Sequence, residues 1–265
     1  MRIRIDGILG ALALSVLLVG AGGSGAQAGE ITVAAAADLN FAFKDLAAEY
    51  EQITGDQVKL SFGSSGNFFL LISTGARFDL FFSANTAYPK KLAEAGRADP
   101  KSLCSYATGR IVLWVPKGSP IDVRYMGMKA LQHSSVKKIG IANPKQAPYG
   151  QSAVAAMEHY KIYDAVKNKL LLGENIVQTA HFVQSGSAEI GILAMSLAVS
   201  PVIKPLGNFY EVPQEAYPPI EQGAVIMKNA KNPKGAQDFL EFVKGPVGAA
   251  VLKRYGFLLP ERPPS

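Results

Sequence analysis

From residue 31 to residue 192 the chain alternates short apolar runs rich in β-branched residues with longer amphipathic stretches, and this alternation restricts the fold more than any other feature. Residues 31–35, 57–62 and 78–82 read as strands, and 41–54, 67–74 and 89–95 as helices, the last two stopped by Gly75 and Gly96. Within 41–54, Phe43, Leu46, Ala47 and Tyr50 recur at helical spacing while Lys44, Glu49 and Glu51 fall on the opposite face. Strand and helix at this pitch imply mainly parallel sheets covered on both faces, because parallel neighbours require crossovers. The chain is therefore α/β. After a strand at 110–115 the pattern restarts, with strands at 139–142, 175–177 and 188–193 and helices at 151–160, 163–172 and 182–185. A strand at 224–227 and helices at 233–243 and 247–255 complete it. Two units of similar size result, joined near residues 110 and 217, with the terminal helices returned to the first. The expected division is residues 29–109 plus 218–265 for one lobe and 110–217 for the other, with a cleft between them.

The first 28 residues set the compartment. Arg2 and Arg4 precede an apolar run over 8–19, small residues follow, and the stretch closes on Ala26-Gln27-Ala28. This predicts a secretory signal peptide cleaved after about Ala28 and an exported, soluble product. The apolar run is shorter than the ~20 residues needed to cross a bilayer. No cysteine stands beside the cleavage site to carry a lipid. The formal net charge of +6 comes without any Lys/Arg run interleaved with aromatics, so nucleic acid is not indicated. Cys104 is the single cysteine, which excludes an internal disulfide. With no base nearby in sequence it reads as a structural thiol.

Ligands of open parallel sheets bind where strands lead into helix N-termini. Two such loops stand out, Ala34-Ala35-Ala36-Ala37-Asp38-Leu39 and Phe62-Gly63-Ser64-Ser65-Gly66-Asn67. Both expose backbone N–H groups of tiny residues at a positive helix end, a constellation suited to an anion without lysine or arginine. Taken singly each has a plainer reading, with Asp38 and Ser65 as ordinary N-caps.

Together with the segment 78–85, with Ala147-Pro148-Tyr149-Gly150, with 188–192, and with the ending Phe242-Val243-Lys244-Gly245-Pro246 and Arg254-Tyr255-Gly256-Phe257, these loops resemble the periplasmic molybdate-binding proteins of ABC importers. The resemblance runs through the whole chain after residue 28. It implies a two-lobed periplasmic binding fold of type II, closing over a tetrahedral oxyanion, molybdate or tungstate, and delivering it to an inner-membrane permease. It also implies a monomer that is no enzyme and carries no cofactor. Carried over by position, the family's ligand contacts fall on Asp38, Ser65, Tyr149, Ile176 and Ala194, with Ala37, Ser64 and Asn85 as secondary candidates. Ser65 offers a hydroxyl and an amide, Ile176 its amide, and Tyr149 a phenol. Two positions depart from the family. Asp38 stands where better-known members carry Ser, Thr or Asn, and Ala194 where many carry tyrosine.

The first departure is the graver, because a carboxylate about 4 Å from an anion costs on the order of 4 kcal/mol per pair of unit charges at an effective dielectric near 20. Asp38 escapes this by turning outward as a cap, by accepting a proton from a phosphate-like oxyanion, or by holding a proton itself. A small organic anion or a metal ion is the alternative ligand, and a sensor the alternative role. An exported serine hydrolase on Ser64 or Ser65 is the remote alternative. It needs a base, and His133, His159 and His181 lie in no Gly-x-Ser-x-Gly or HExxH pattern.

Overall fold

A computed structural model describes residues 29–260. The expected signal peptide lies outside the described residues. No described helix is long and apolar enough to cross a membrane.

The first half of the chain runs β1 (Glu30–Ala36), α1 (Asn40–Thr54), β2 (Gln57–Gly63), α2 (Ser65–Ser73), β3 (Leu80–Ser83), α3 (Ala87–Glu94) and β4 (Cys104–Gly109). The second runs β5 (Ile111–Pro116), α4 (Val123–Met126), β6 (Ile139–Ala142), α5 (Pro148–His159), α6 (Tyr163–Val166), β7 (Leu170–Gly173), α7 (Ile176–Gln184), β8 (Ile190–Ala194), α8 (Met195–Ala198) and β9 (Gly207–Glu211). The chain then returns through β10 (Ile220–Ile226), α9 (Pro233–Lys244) and α10 (Pro246–Arg254). Two five-stranded sheets form, ordered β2-β1-β3-β10-β4 and β7-β6-β8-β5-β9. In each, one strand opposes the other four: β10 is antiparallel to β3 and β4, and β5 to β8 and β9. The reversed strands are the ones next to the crossings, so the βαβ units keep their parallel order while the chain changes sheets. The molecule is thus two-lobed, each lobe a mainly parallel sheet between helices.

Alternation along β3 explains how one sheet serves two cores. Phe82 faces α1 and α9, its ring 4.8 Å from Phe43 and 6.2 Å from Phe239. Phe81 faces the other way, into a smaller cluster with Phe68, Ile72, Leu92 and Val225 under α2 and α3. Asp79, just before β3, fastens the returning chain: its carboxylate accepts from Thr32 N and Oγ1 at 2.7 Å, and from the amides of Lys231 and Asn232 at the start of α9.

Two expectations fail. Residues 163–172 are not one helix: α6 gives way to β7, in which Leu170, Leu171 and Leu172 pair in parallel with Ile139, Gly140 and Ile141. The leucines favour helix locally, and sheet pairing overrides that preference. Residues 175–177 are not a strand but the start of α7, where Asn175 caps the helix by accepting from Val177 N and Gln178 N. Strands β4 and β9 were not anticipated from the sequence at all.

The two crossings are tied to each other. Arg110, between β4 and β5, pairs with Glu211 and donates from Nε to the Gly256 carbonyl at 2.9 Å. Ile111 N donates to the Tyr217 hydroxyl at 3.2 Å.

Candidate functional site

Three helix N-termini converge where the lobes meet. At α2, Ser64 accepts from Asn67 N through its side chain and from Phe68 N through its carbonyl, and Gly66 N donates across the cleft to Gln146 O at 2.9 Å. At α5, Pro148 has no N–H, and the amides of Gly150 and Gln151 donate to Ala147 O. At α7, Asn175 takes Val177 N and Gln178 N on its side chain and Thr179 N on its carbonyl. Each helix start has four amides without an intrahelical partner or a proline in place of one. After this capping the first N–H within each helix remains unspent, on Ser65, Tyr149 and Ile176 respectively, as do the amides of Ser64 and Asn175 just ahead of two of them.

These residues line one cavity together with Ala36, Ala37, Asp38, Gly63, Ser64, Ala84, Ala147, Pro148 and Asn175. Its empty space, the open mouth included, is about 210 Å³. Among the described residues no lysine, arginine or histidine lines it. The Ser65 hydroxyl is buried and accepts from Ala84 N at 2.9 Å, which leaves its hydrogen for a guest.

Asp38 belongs to the cavity wall and is 1% exposed. It does not cap α1, whose N-cap is Leu39 without a side-chain bond. Its Oδ2 accepts from the Tyr149 hydroxyl at 2.9 Å and from Gln222 Nε2 at 2.5 Å. Gln222 is held in turn, its Oε1 accepting from the Tyr106 hydroxyl at 2.6 Å. Oδ1 is buried with no hydrogen-bond partner. Burial pushes the Asp38 carboxyl up to about 6 against the lowering pull of the Gln222 and Tyr149 bonds. Burial, and then the nearby Asp38 charge, push the Tyr149 and Tyr106 phenols well above the ordinary tyrosine value. Asp38 also joins the lobes through its backbone, whose carbonyl accepts from Ser196 Oγ at 2.7 Å.

Four of the five sequence-derived positions, Asp38, Ser65, Tyr149 and Ile176, thus meet in one place. Ala194 does not. It is fully buried as the last residue of β8, opposite Ile111, and is not part of the cavity lining. Of the secondary candidates, Ala37 and Ser64 line the cavity, whereas Asn85, just ahead of α3, accepts from Ala87 N and lines a neighbouring hollow of about 530 Å³ with Gln151 and Glu221. Gln222, Tyr106 and Ser196 were missed. Gln222 is the one polar side chain on β10 that is fully buried, and a lone glutamine between Glu221 and Gly223 carries too little pattern to mark a strand.

A hydrolytic reading finds no base. His133 pairs with Ser135, while His159 and His181 are exposed on α5 and α7. Burial pushes the Cys104 thiol up, which disfavours the thiolate a nucleophile needs. What the site can do is hold: oriented neutral dipoles at helix ends favour an anion.

Known proteins agree in sequence and shape. Over 244 residues the chain is 37% identical to the "Molybdate-binding protein ModA" of Azotobacter vinelandii, covering 91% of this chain and 96% of the relative. It is 35% identical over 233 residues to the protein of that name from Rhodobacter capsulatus, covering 88% and 90%. The solved structure of the Azotobacter vinelandii periplasmic molybdate-binding protein superposes with a TM-score of 0.82 at 31% identity, over 87% of this chain and all of that one. The family described as "Bacterial extracellular solute-binding protein" matches residues 31–258, the span that contains both sheets and all three helix starts, and the chain belongs to that family.

Proposed function

We propose that this protein is the periplasmic solute-binding component of an ABC importer, and that it captures a tetrahedral oxyanion, molybdate or tungstate first, in the cavity between its lobes. The observation that carries this reading is the set of three unspent amides, on Ser65, Tyr149 and Ile176, facing a small cavity with no basic side chain. The relatives bearing molybdate-binding names supply the choice among oxyanions. The chain acts by reversible capture rather than turnover. It works as a monomer, with a membrane permease receiving the ion from the closed form.

The test is calorimetric titration with molybdate, tungstate, sulfate, phosphate and a divalent metal ion. Molybdate or tungstate is expected to bind at one ion per chain and the metal not at all. Saturable metal binding, or no heat from any oxyanion, overturns the reading. Ser65→Ala removes a hydroxyl whose bond to a charged ligand is worth roughly 1.5–3 kcal/mol, so affinity is expected to drop at least about tenfold. An unchanged affinity would place the ion elsewhere.

A further inference from the structure

We propose that Asp38 makes ion capture proton-coupled: a proton taken up on Oδ1 turns its carboxyl from acceptor into donor toward the bound dianion, so that binding weakens as pH rises. The inference rests on the oxyanion reading above and deepens it.

The geometry assigns the proton to one oxygen. Oδ2 already receives two donors, Tyr149 OH and Gln222 Nε2, and the Gln222 amide is fixed by Tyr106 on its other end. A proton on Oδ2 would face those donors. Oδ1 is buried, unpartnered, and belongs to a residue of the cavity wall. An ionised Oδ1 would be a buried, unpartnered acceptor beside a bound anion, a like-charge contact that burial makes costly. A protonated Oδ1 adds a donor to the cavity wall. The groups around Asp38 do not change this account. From α5 comes Tyr149, from β4 Tyr106, from β10 Gln222 and from α8 Ser196, all neutral donors, and no lysine, arginine or histidine lines the cavity among the described residues.

The sign follows from linkage. Burial already raises the free carboxyl to about 6. A dianion beside it raises the carboxyl further in the complex. Affinity is then level below the free-state value, falls about tenfold per pH unit above it, and levels again past the value in the complex. Between the two, each ion bound takes one proton from solvent onto Oδ1, while the oxyanion keeps its charge.

The experiment is titration of the purified protein with sodium molybdate from about pH 6 to pH 9, each pH in two buffers of different ionisation heat, on wild type and Asp38→Asn. Wild type is expected to take up close to one proton per ion near pH 7.5 and to lose about tenfold in affinity between pH 7 and 8. Asp38→Asn, which keeps a donor but cannot titrate, is expected to show no uptake and a pH-independent affinity. Wild-type binding that is flat with pH, with no uptake, overturns the proposal and leaves the oxyanion reading standing. The same slope in Asp38→Asn also overturns it. Phosphate brings its own proton: if it outcompetes molybdate near pH 8 without uptake from buffer, the carboxylate accepts rather than donates, and the proposal falls. No molybdate binding by either protein at any pH defeats the oxyanion reading and this inference together. The two-buffer measurement on wild type decides the matter even if the variant does not fold.

Discussion

Gly66→Ala is expected to weaken molybdate binding on the order of 30- to 150-fold while leaving the melting temperature of the ligand-free protein unchanged or slightly raised. A Cβ at position 66 would stand 2.6 Å from the Gln146 carbonyl oxygen and 2.9 Å from its Cα, both backbone atoms of the opposite lobe. Backbone cannot swing aside as a side-chain tip can, so the lobes must seat further apart, at an overpacking cost of roughly 1–3 kcal/mol. The added methyl also removes the approach that lets Gly66 N bond Gln146 O. Locally the change is benign, because Gly66 lies in the first turn of α2, where alanine is the better helix former. Calorimetry with molybdate, paired with thermal melts of the free protein, separates the two effects. Wild-type affinity in the variant would show that closure does not bring these segments together.

The second large effect concerns folding. Asp79→Ala is expected to destabilise the protein by on the order of 3–5 kcal/mol, because it removes a buried carboxylate that serves four donors at once, the part-buried amides of Thr32, Lys231 and Asn232 and the Thr32 hydroxyl. For a chain of this size that is roughly 6–20 °C in melting temperature. The loss should appear in a melt monitored by circular dichroism, and a shift of only a degree or two would refute the fastening role. The pH dependence has a definite sign. Burial raises the Asp79 carboxyl, but the bonds from Thr32, Asn232 and Lys231 outweigh it and hold the group below the usual value of 3.8. A carboxyl lowered by folding stabilises the protein above its unfolded value and loses that contribution as pH falls through the folded one. The gap between wild type and Asp79→Ala is therefore full at neutral pH and narrows only in acid, below about pH 4.

Much of the architecture was legible because periodicity reports burial. Helix 41–54 and strands 31–35 and 57–62 fall within a residue or two of α1, β1 and β2, since each buries a face whose pattern the sequence writes out. Leu170 to Leu172 misled because three leucines carry no period and an edge strand is decided by its neighbour β6. The cavity was legible in part: the strand-to-helix loop 62–67 marks the start of α2, where Ser64 rather than Ser65 is the cap, whereas the start of α7 at Asn175 was hidden because 175–177 reads as a strand. The Asp38 network was not. It joins residues 38, 106, 149 and 222, contributed by four elements, and no local pattern links a glutamine on β10 to a carboxylate behind β1. Ala194 is the one of the five carried-over positions that does not line the cavity, and nothing local in the sequence marks that difference.

The unspent donors are unequally shared: Ser65 sits on one side of the crevice, Tyr149 and Ile176 on the other. Each half alone grips poorly. Prising the halves apart by a few ångströms would strip away two contacts, roughly 3–6 kcal/mol, or about a hundredfold to ten-thousandfold in retention, in a single motion. On the proposed function, tightness would then depend on how the two crossings at Arg110 and Tyr217 flex. Substitutions in those straps, remote from the cargo, should retune its residence time while leaving the choice of cargo untouched.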